Sequence, residues 1–181
     1  MIKKINMGCG KRNFGPDWIH IDGGNYDHLH SKDINILPFE DNTIDLIYSS
    51  HVLEYFDREE VMLVLKEWKR VLKTGAILRL AVPDFQSMAA LYTKGGCTLE
   101  QILGPLYGKI KMADTTIYHK TTYDFNNLKK ILTECGFTDI CEYDWRKTEH
   151  MKHDDCSQAY LPHMDKENGT LISLNVQATK A

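Results

Sequence analysis

Residues 5–22 read INMGCGKRNFGPDWIHID, and the fold turns on how this stretch is parsed. An apolar run, residues 2–7, leads into Gly8-Cys9-Gly10, and a second apolar run, residues 18–21, ends at Asp22. Runs this short, bounded by glycine and proline, read as buried β-strands. Between them, residues 11–17 make a tight connection containing Gly15-Pro16. A full crossover helix with its loops needs about ten residues or more, so this crossover is expected to be stunted to a turn or so.

Working outward, residues 33–35 have the pattern of a third, very short strand, and IDLIYSS at 44–50 is the clearest buried one. Asp57 and Glu60 then form a D-x-x-E cap, and Val61, Val64, Leu65, Trp68, Val71 and Leu72 recur at helical spacing before Gly75, a stop. Residues 76–82 resume as strand, closed by Pro83-Asp84. Two further helices are expected, over 85–94 and from the T-x-x-Q cap at 98 to 103. An amphipathic helix over 124–135 is stopped by Gly136, and strands over 137–145 and 170–180 finish the chain. Alternating strands and helices imply an α/β fold, a doubly wound and mostly parallel sheet with helices on both faces. The last two strands lack a convincing helix between them and should form a C-terminal antiparallel hairpin.

At 181 residues, with no internal repeat or linker-like tract, residues 1–181 are expected to form a single domain. A net charge of -3 offers no electrostatic footprint for nucleic acid, which favours a different acceptor. No apolar run suits a signal peptide or a membrane span, so a cytoplasmic protein is expected. The five cysteines, Cys9, Cys97, Cys135, Cys141 and Cys156, contain no CxxC pair and read as reduced thiols.

A bare backbone after one strand and a carboxylate after the next suit a phosphate, a dinucleotide or a sulfonium nucleoside. GCGKRNFG lacks the G-x-x-x-x-G-K-[ST] pattern, which removes the phosphate loop. Asn13 stands where G-x-G-x-x-G needs its third glycine, and Asp22 comes early for a dinucleotide, which weakens the NAD-type oxidoreductase reading without removing it. INMGCGKRNFGPDWIHID, DINILPFEDNTIDLIYSSHVLEYF and VLKTGAILRLAVPDF, in that order, together resemble the class I (Rossmann-like) S-adenosylmethionine-dependent methyltransferases, in particular the compact type-11-like group. YDFNNLKKILTECGF and the strands after it are similar to that family's C-terminal helix and hairpin. Two departures stand out. Asn6 occupies a position where the family often has an acidic residue, and the N-terminal helices that cover the substrate in many relatives are not found ahead of the first strand.

The resemblance implies S-adenosyl-L-methionine as cofactor. Gly8, Cys9 and Gly10 would pass backbone close to its methionyl end, Asn6 would stand near its amino group, and Asp22 would accept from both ribose hydroxyls. Asp33 and Ile34 would frame the adenine, and Ser49, Ser50 and His51 would lie at the strand end where parallel sheets bind ligands. His51 is the first candidate for a general base and Asp84 the second, followed by His119 and Tyr123; Glu54 and Tyr55 read as structural. Segments 84–123 and 146–168 are the expected lids. HMKHDDC, residues 150–156, holds possible metal ligands but reads as a solvated, substrate-facing loop, so no metal is expected. The expected acceptor is a small or sugar-like molecule methylated on oxygen or nitrogen, with no nucleic acid and no membrane as partner. A cofactor-binding module without catalysis is the remaining alternative.

Overall fold

The computed structural model describes residues 2–112 and 115–181. Strands β1 (Lys4–Met7), β2 (Trp18–Ile21) and β3 (Ile44–Ser50) are followed by helix α1 (Glu60–Val71) and the long strand β4 (Leu72–Pro83). Helices α2 (Phe85–Thr93) and α3 (Leu99–Tyr107) lead to a small hairpin, β5 (Ile110–Met112) and β6 (Thr115–Ile117). Helix α4 (Phe125–Glu134), strand β7 (Phe137–Glu142), a second hairpin of β8 (Tyr160–Leu161) and β9 (Thr170–Leu171), and β10 (Ser173–Lys180) complete the chain.

The main sheet has the order β2-β1-β3-β4-β10-β7. Its first four strands are mutually parallel, and β10 runs antiparallel to both β4 and β7. This is the mostly parallel α/β sheet with a C-terminal antiparallel pair that the element order implies. One face is covered by α1 and α4, whose Leu65, Trp68, Leu128 and Leu132 are fully buried with Ile5, Met7, Ile47, Leu78 and Val176. The other face carries Phe14, Trp18, Leu46 and Tyr48, and there the helical cover shrinks to single 3-10 turns such as Cys156–Gln158, packed on β4 and β10. The short β1–β2 connection therefore does what a crossover helix usually does, with Phe14 as its buried anchor. None of the helices of the described residues is long and apolar enough to cross a membrane.

Two local readings need correction. Residues 33–35 form no strand: the edge beside β2 is a single parallel bridge, Ile21 to Ser31. Asp33 Oδ1 instead accepts from the amides of Asn35 and Ile36, closing a turn that competes with extended pairing. Gly75 is not the stop of α1, which ends at Val71 and passes straight into β4. Gly75 lies inside β4 with φ +80°, at the place where the β3–β4 register shifts. The expected caps are made: Asp57 and Glu60 bond reciprocally, as do Thr98 and Gln101.

Candidate active site

The carboxyl ends of β1, β2 and β3 open into a cavity of about 880 Å³, where parallel sheets place their ligands. Its floor is the turn after β1. Gly8 takes φ +67° and its N–H donates to the Ile21 carbonyl at 2.7 Å. A β-carbon there would overlap Val52 Cγ2, so only glycine fits both the conformation and the space. Asp22, at the end of β2, is held by two amides: Gly10 N–H donates to Oδ2 at 2.8 Å and Gly24 N–H to Oδ1 at 2.7 Å. Each carboxylate oxygen keeps lone-pair capacity for a further donor.

Of the residues singled out from the sequence, Gly8, Gly10, Asp22, Ile34, Ser50, His51 and His119 line this cavity together. Cys9 turns its thiol away, against Gly10 O and His28, and burial together with the Asp22 charge pushes it up to about 12, an inert thiol. Asn6 and Ser49 are buried behind the wall; Asn6 Nδ2, Ser49 Oγ and the cavity-lining Ser50 Oγ have no hydrogen-bond partner among the described residues. Asp33 is committed to its turn. Asp84 lies outside the lining and caps α2, accepting from Ser87 N at 3.1 Å and Ser87 Oγ at 2.6 Å. Tyr123 is buried, with its hydroxyl on the Leu53 carbonyl.

His51 ends β3 in the left-handed region, φ +54°, which aims its ring at the cavity. Its Nδ1 is 3.4 Å from Glu54 Oε1 and its Nε2 3.4 Å from Ser173 Oγ. Burial, then His119 and Arg12 nearby, hold His51 down at about 3, while burial pushes Glu54 up to about 8. Both groups are driven toward their neutral forms, as expected where solvent is excluded from a charge. Glu54, read from the sequence as structural, is buried beside His51 with no hydrogen-bond partner for its carboxyl among the described residues. The signal in the sequence was the H-x-x-E spacing: the chain turns at His51, φ +54°, and enters the 3-10 turn Leu53–Tyr55, which brings Glu54 Oε1 to 3.4 Å from His51 Nδ1.

Both expected lid segments contribute lining. Gln101, Pro105, Ile110, Ile117 and His119 come from the first, and Cys156, Tyr160, Leu161 and Met164 from the second. The HMKHDDC run is largely absorbed in packing. His150 is fully buried with its ring tilted against Tyr48 at 3.8 Å, His153 stacks on Phe14 at 4.1 Å, and Asp155 accepts from Tyr48 Oη at 2.6 Å. No group of three or more His, Cys, Asp or Glu among the described residues is placed to hold a metal ion. Arg12 was not anticipated. It lines the cavity, donates from Nε to Asp154 O at 2.8 Å, and forms no ion pair with a carboxylate of the described residues.

Residues 16–80 match the family model described as "Methyltransferase domain". Demethylmenaquinone methyltransferase of Staphylococcus haemolyticus is 29% identical over 125 residues, 62% of this chain and 48% of that protein, so the chain spans about half the length of this curated relative. An S-adenosylmethionine-dependent methyltransferase structure from Methanosarcina mazei aligns over 98% of this chain and 92% of its own, with a TM-score of 0.59 and 18% identity. The 1,6-didemethyltoxoflavin-N1-methyltransferase of Burkholderia thailandensis, solved with 1,6-didemethyltoxoflavin and S-adenosylhomocysteine, aligns over 99% of this chain and 71% of its own, with a TM-score of 0.57 and 10% identity.

Proposed function

We propose that the chain is a class I, Rossmann-like S-adenosylmethionine-dependent methyltransferase, a reading supported by the methyltransferase-domain match over residues 16–80 and the shared fold, and that it transfers a methyl group from S-adenosylmethionine to oxygen or nitrogen of a small-molecule acceptor. The observation that carries this reading is the Asp22 carboxylate, pinned by two glycine amides on the wall that Gly8, Gly10 and His51 share. Its remaining acceptor capacity suits a pair of ribose hydroxyls. Gly8 and Gly10 would offer backbone to the methionyl end and Ile34 an apolar face to the adenine. Ser50 Oγ, buried and without a partner among the described residues, would meet a polar group of the cofactor. The guanidinium of Arg12 would meet its carboxylate. Asp33 and Asp84 are left out of the proposed set, because their carboxylates are spent on a turn and a helix cap.

When bound, the cofactor supplies an electrophilic methyl group on a sulfonium. The protein's own part is alignment, exclusion of water and, for a hydroxyl or amine acceptor, removal of a proton. Neutral His51 can take that proton at Nε2 while Nδ1 faces Glu54. The two lid segments would close over the acceptor, in a cytoplasmic setting. A second reading has its own support: Ile110, Ile117, Leu161 and Ile172 make part of the cavity wall apolar, which favours an acceptor bearing an apolar ring over a sugar.

Titration calorimetry with S-adenosylhomocysteine tests the cofactor reading. Asp22→Ala should weaken binding by about 1–3 kcal/mol through lost hydrogen bonds. Binding of NAD with no binding of S-adenosylhomocysteine would overturn the reading in favour of an oxidoreductase. Incubation with methyl-labelled cofactor and fractionated extract tests the acceptor: label is expected in small metabolites, label in RNA or protein would overturn that class, and binding without transfer would indicate a non-catalytic module.

A further inference from the structure

Beside the cavity lies a buried acid that the reaction as described does not use. Glu54 is wholly excluded from solvent, and neither carboxyl oxygen has a hydrogen-bond partner among the described residues. An isolated acid in that position is costly, and such groups are retained where they have work to do. Two imidazoles flank it, both at the same carboxyl oxygen. His51 Nδ1, from the end of β3, is 3.4 Å from Oε1, and His119 Nε2, from the lid segment, is 3.7 Å from the same oxygen. Contacts of this length tighten readily when a site fills.

The orientation of His119 is fixed by its surroundings. Its Nδ1 lies 2.9 Å from the Pro105 carbonyl, which can only accept, so in the neutral ring Nδ1 carries the proton and Nε2 turns a lone pair toward Glu54. Tyr55 packs edge-on against the ring at 4.6 Å. Any side chain at position 108 would overlap it, and Gly108 leaves the room. The Glu54 carbonyl in turn accepts from the amides of Lys120 and Thr121, holding this end of the lid segment against the turn that bears the acid.

We propose that His51, Glu54 and His119 form one proton-transfer unit, in which Glu54 is the positioning residue that carries the proton taken up by His51 across to the lid histidine. The proposal rests on the reading of His51 as the base. The acceptor's proton goes to His51 Nε2, the proton on His51 Nδ1 passes to Glu54 Oε1, and the acid proton of Glu54 passes to His119 Nε2. One proton enters and one imidazolium remains, with its two N–H groups directed at the Pro105 carbonyl and the Glu54 carboxyl. No charge is stranded on the buried acid at the end. Burial keeps Glu54 protonated and both rings neutral at the start, since it raises the acid and lowers both histidines. The other titratable or charged groups facing the unit are Tyr55, Tyr123, Cys156 and Arg12; Lys120 is turned outward in an ion pair with Glu60.

The test uses the full chain labelled with nitrogen-15 histidine, titrated from pH 5 to 10 by NMR, and with carbon-13 glutamate for infrared spectroscopy. In the wild type, His51 and His119 should report one shared step above pH 7, His119 should show the Nδ1–H tautomer below it, and a protonated-carboxyl band should vanish over the same step. Glu54→Gln should abolish the shared step, and His119→Gln should displace the His51 response. Independent titration of the two rings near the ordinary imidazole value, or a step that survives in Glu54→Gln, would overturn the proposal. The infrared band decides it in the wild type alone should the variants not fold: its absence at pH 6 would also overturn the unit. S-adenosylhomocysteine binding, expected within about threefold of wild type in Glu54→Gln, is measured alongside. Loss of binding in the wild type would overturn the functional reading while leaving the spectroscopic result to stand or fall separately.

Discussion

At the scale of single residues, the site is organised by groups that do two jobs. Asp22 organises its own loop through the Gly10 and Gly24 amides and still presents acceptor capacity to the cavity. Arg12 ties the β1–β2 connection to segment 146–168 through the Asp154 carbonyl while its guanidinium lines the cavity. These two jobs of Arg12 can be separated. Arg12→Ala should weaken S-adenosylhomocysteine by about 10- to 100-fold, the range for a charge-assisted bond to a carboxylate. Methylthioadenosine, which lacks the amino-acid end, should bind the variant within about twofold of wild type. Equal weakening of both ligands in calorimetry would assign Arg12 to holding the loop and not to the carboxylate.

At the scale of elements, sequence-local chemistry decides boundaries and tertiary position decides use. Asp84 illustrates this. It follows β4 at the carboxyl edge, where ligand-binding groups concentrate, yet its backbone is extended and its carboxylate turns back onto Ser87 as the N-cap of α2. Asp84→Ala is therefore expected to cost about 1 kcal/mol of stability, a fall in melting temperature of about 2–4 °C, through the lost cap. S-adenosylhomocysteine affinity should not change. A thermal scan paired with calorimetry checks both, and a normal melting temperature with impaired turnover would restore Asp84 to the reaction.

At the scale of the whole molecule, the sheet buries a set of neutral histidines. His150 has no solvent exposure and no hydrogen-bond partner on either ring nitrogen among the described residues, and burial lowers it to about 4. His20, His51 and His119 are lowered as well, chiefly by burial. Below about pH 6.5 the unfolded chain binds protons at these rings that the folded chain refuses, so their contribution is complete above that pH and is lost as pH falls toward their folded values. Glu54 acts in the opposite sense: raised to about 8, it favours the fold below its unfolded value and loses that contribution as pH rises. The denaturation midpoint should therefore fall between pH 7 and 4.5, by about 3–10 °C in a thermal scan. His150→Phe, which keeps an aromatic ring against Tyr48, should flatten that acid limb; an unchanged limb would show that His150 does not carry it.

The sequence by itself determined the alternation of strands and helices, the stunted first crossover, the caps at Asp57 and Thr98, and the glycine turn and Asp22 at the strand ends. Each of these rests on residues within a few positions of one another, where backbone sterics and side-chain-to-backbone bonds act alone. It also carried the H-x-x-E spacing of His51 and Glu54, although without the burial that gives it meaning. Only the tertiary structure decided the rest. It took Asp33 and Asp84 from the cavity into local bonds, brought Arg12 into it, and set His119 beside Glu54 across 65 residues of chain. The physical reason is that a carboxylate's role depends on which donors reach it first and on how much water remains around it, and both follow from contacts that close only when the sheet and segments 84–123 and 146–168 pack together.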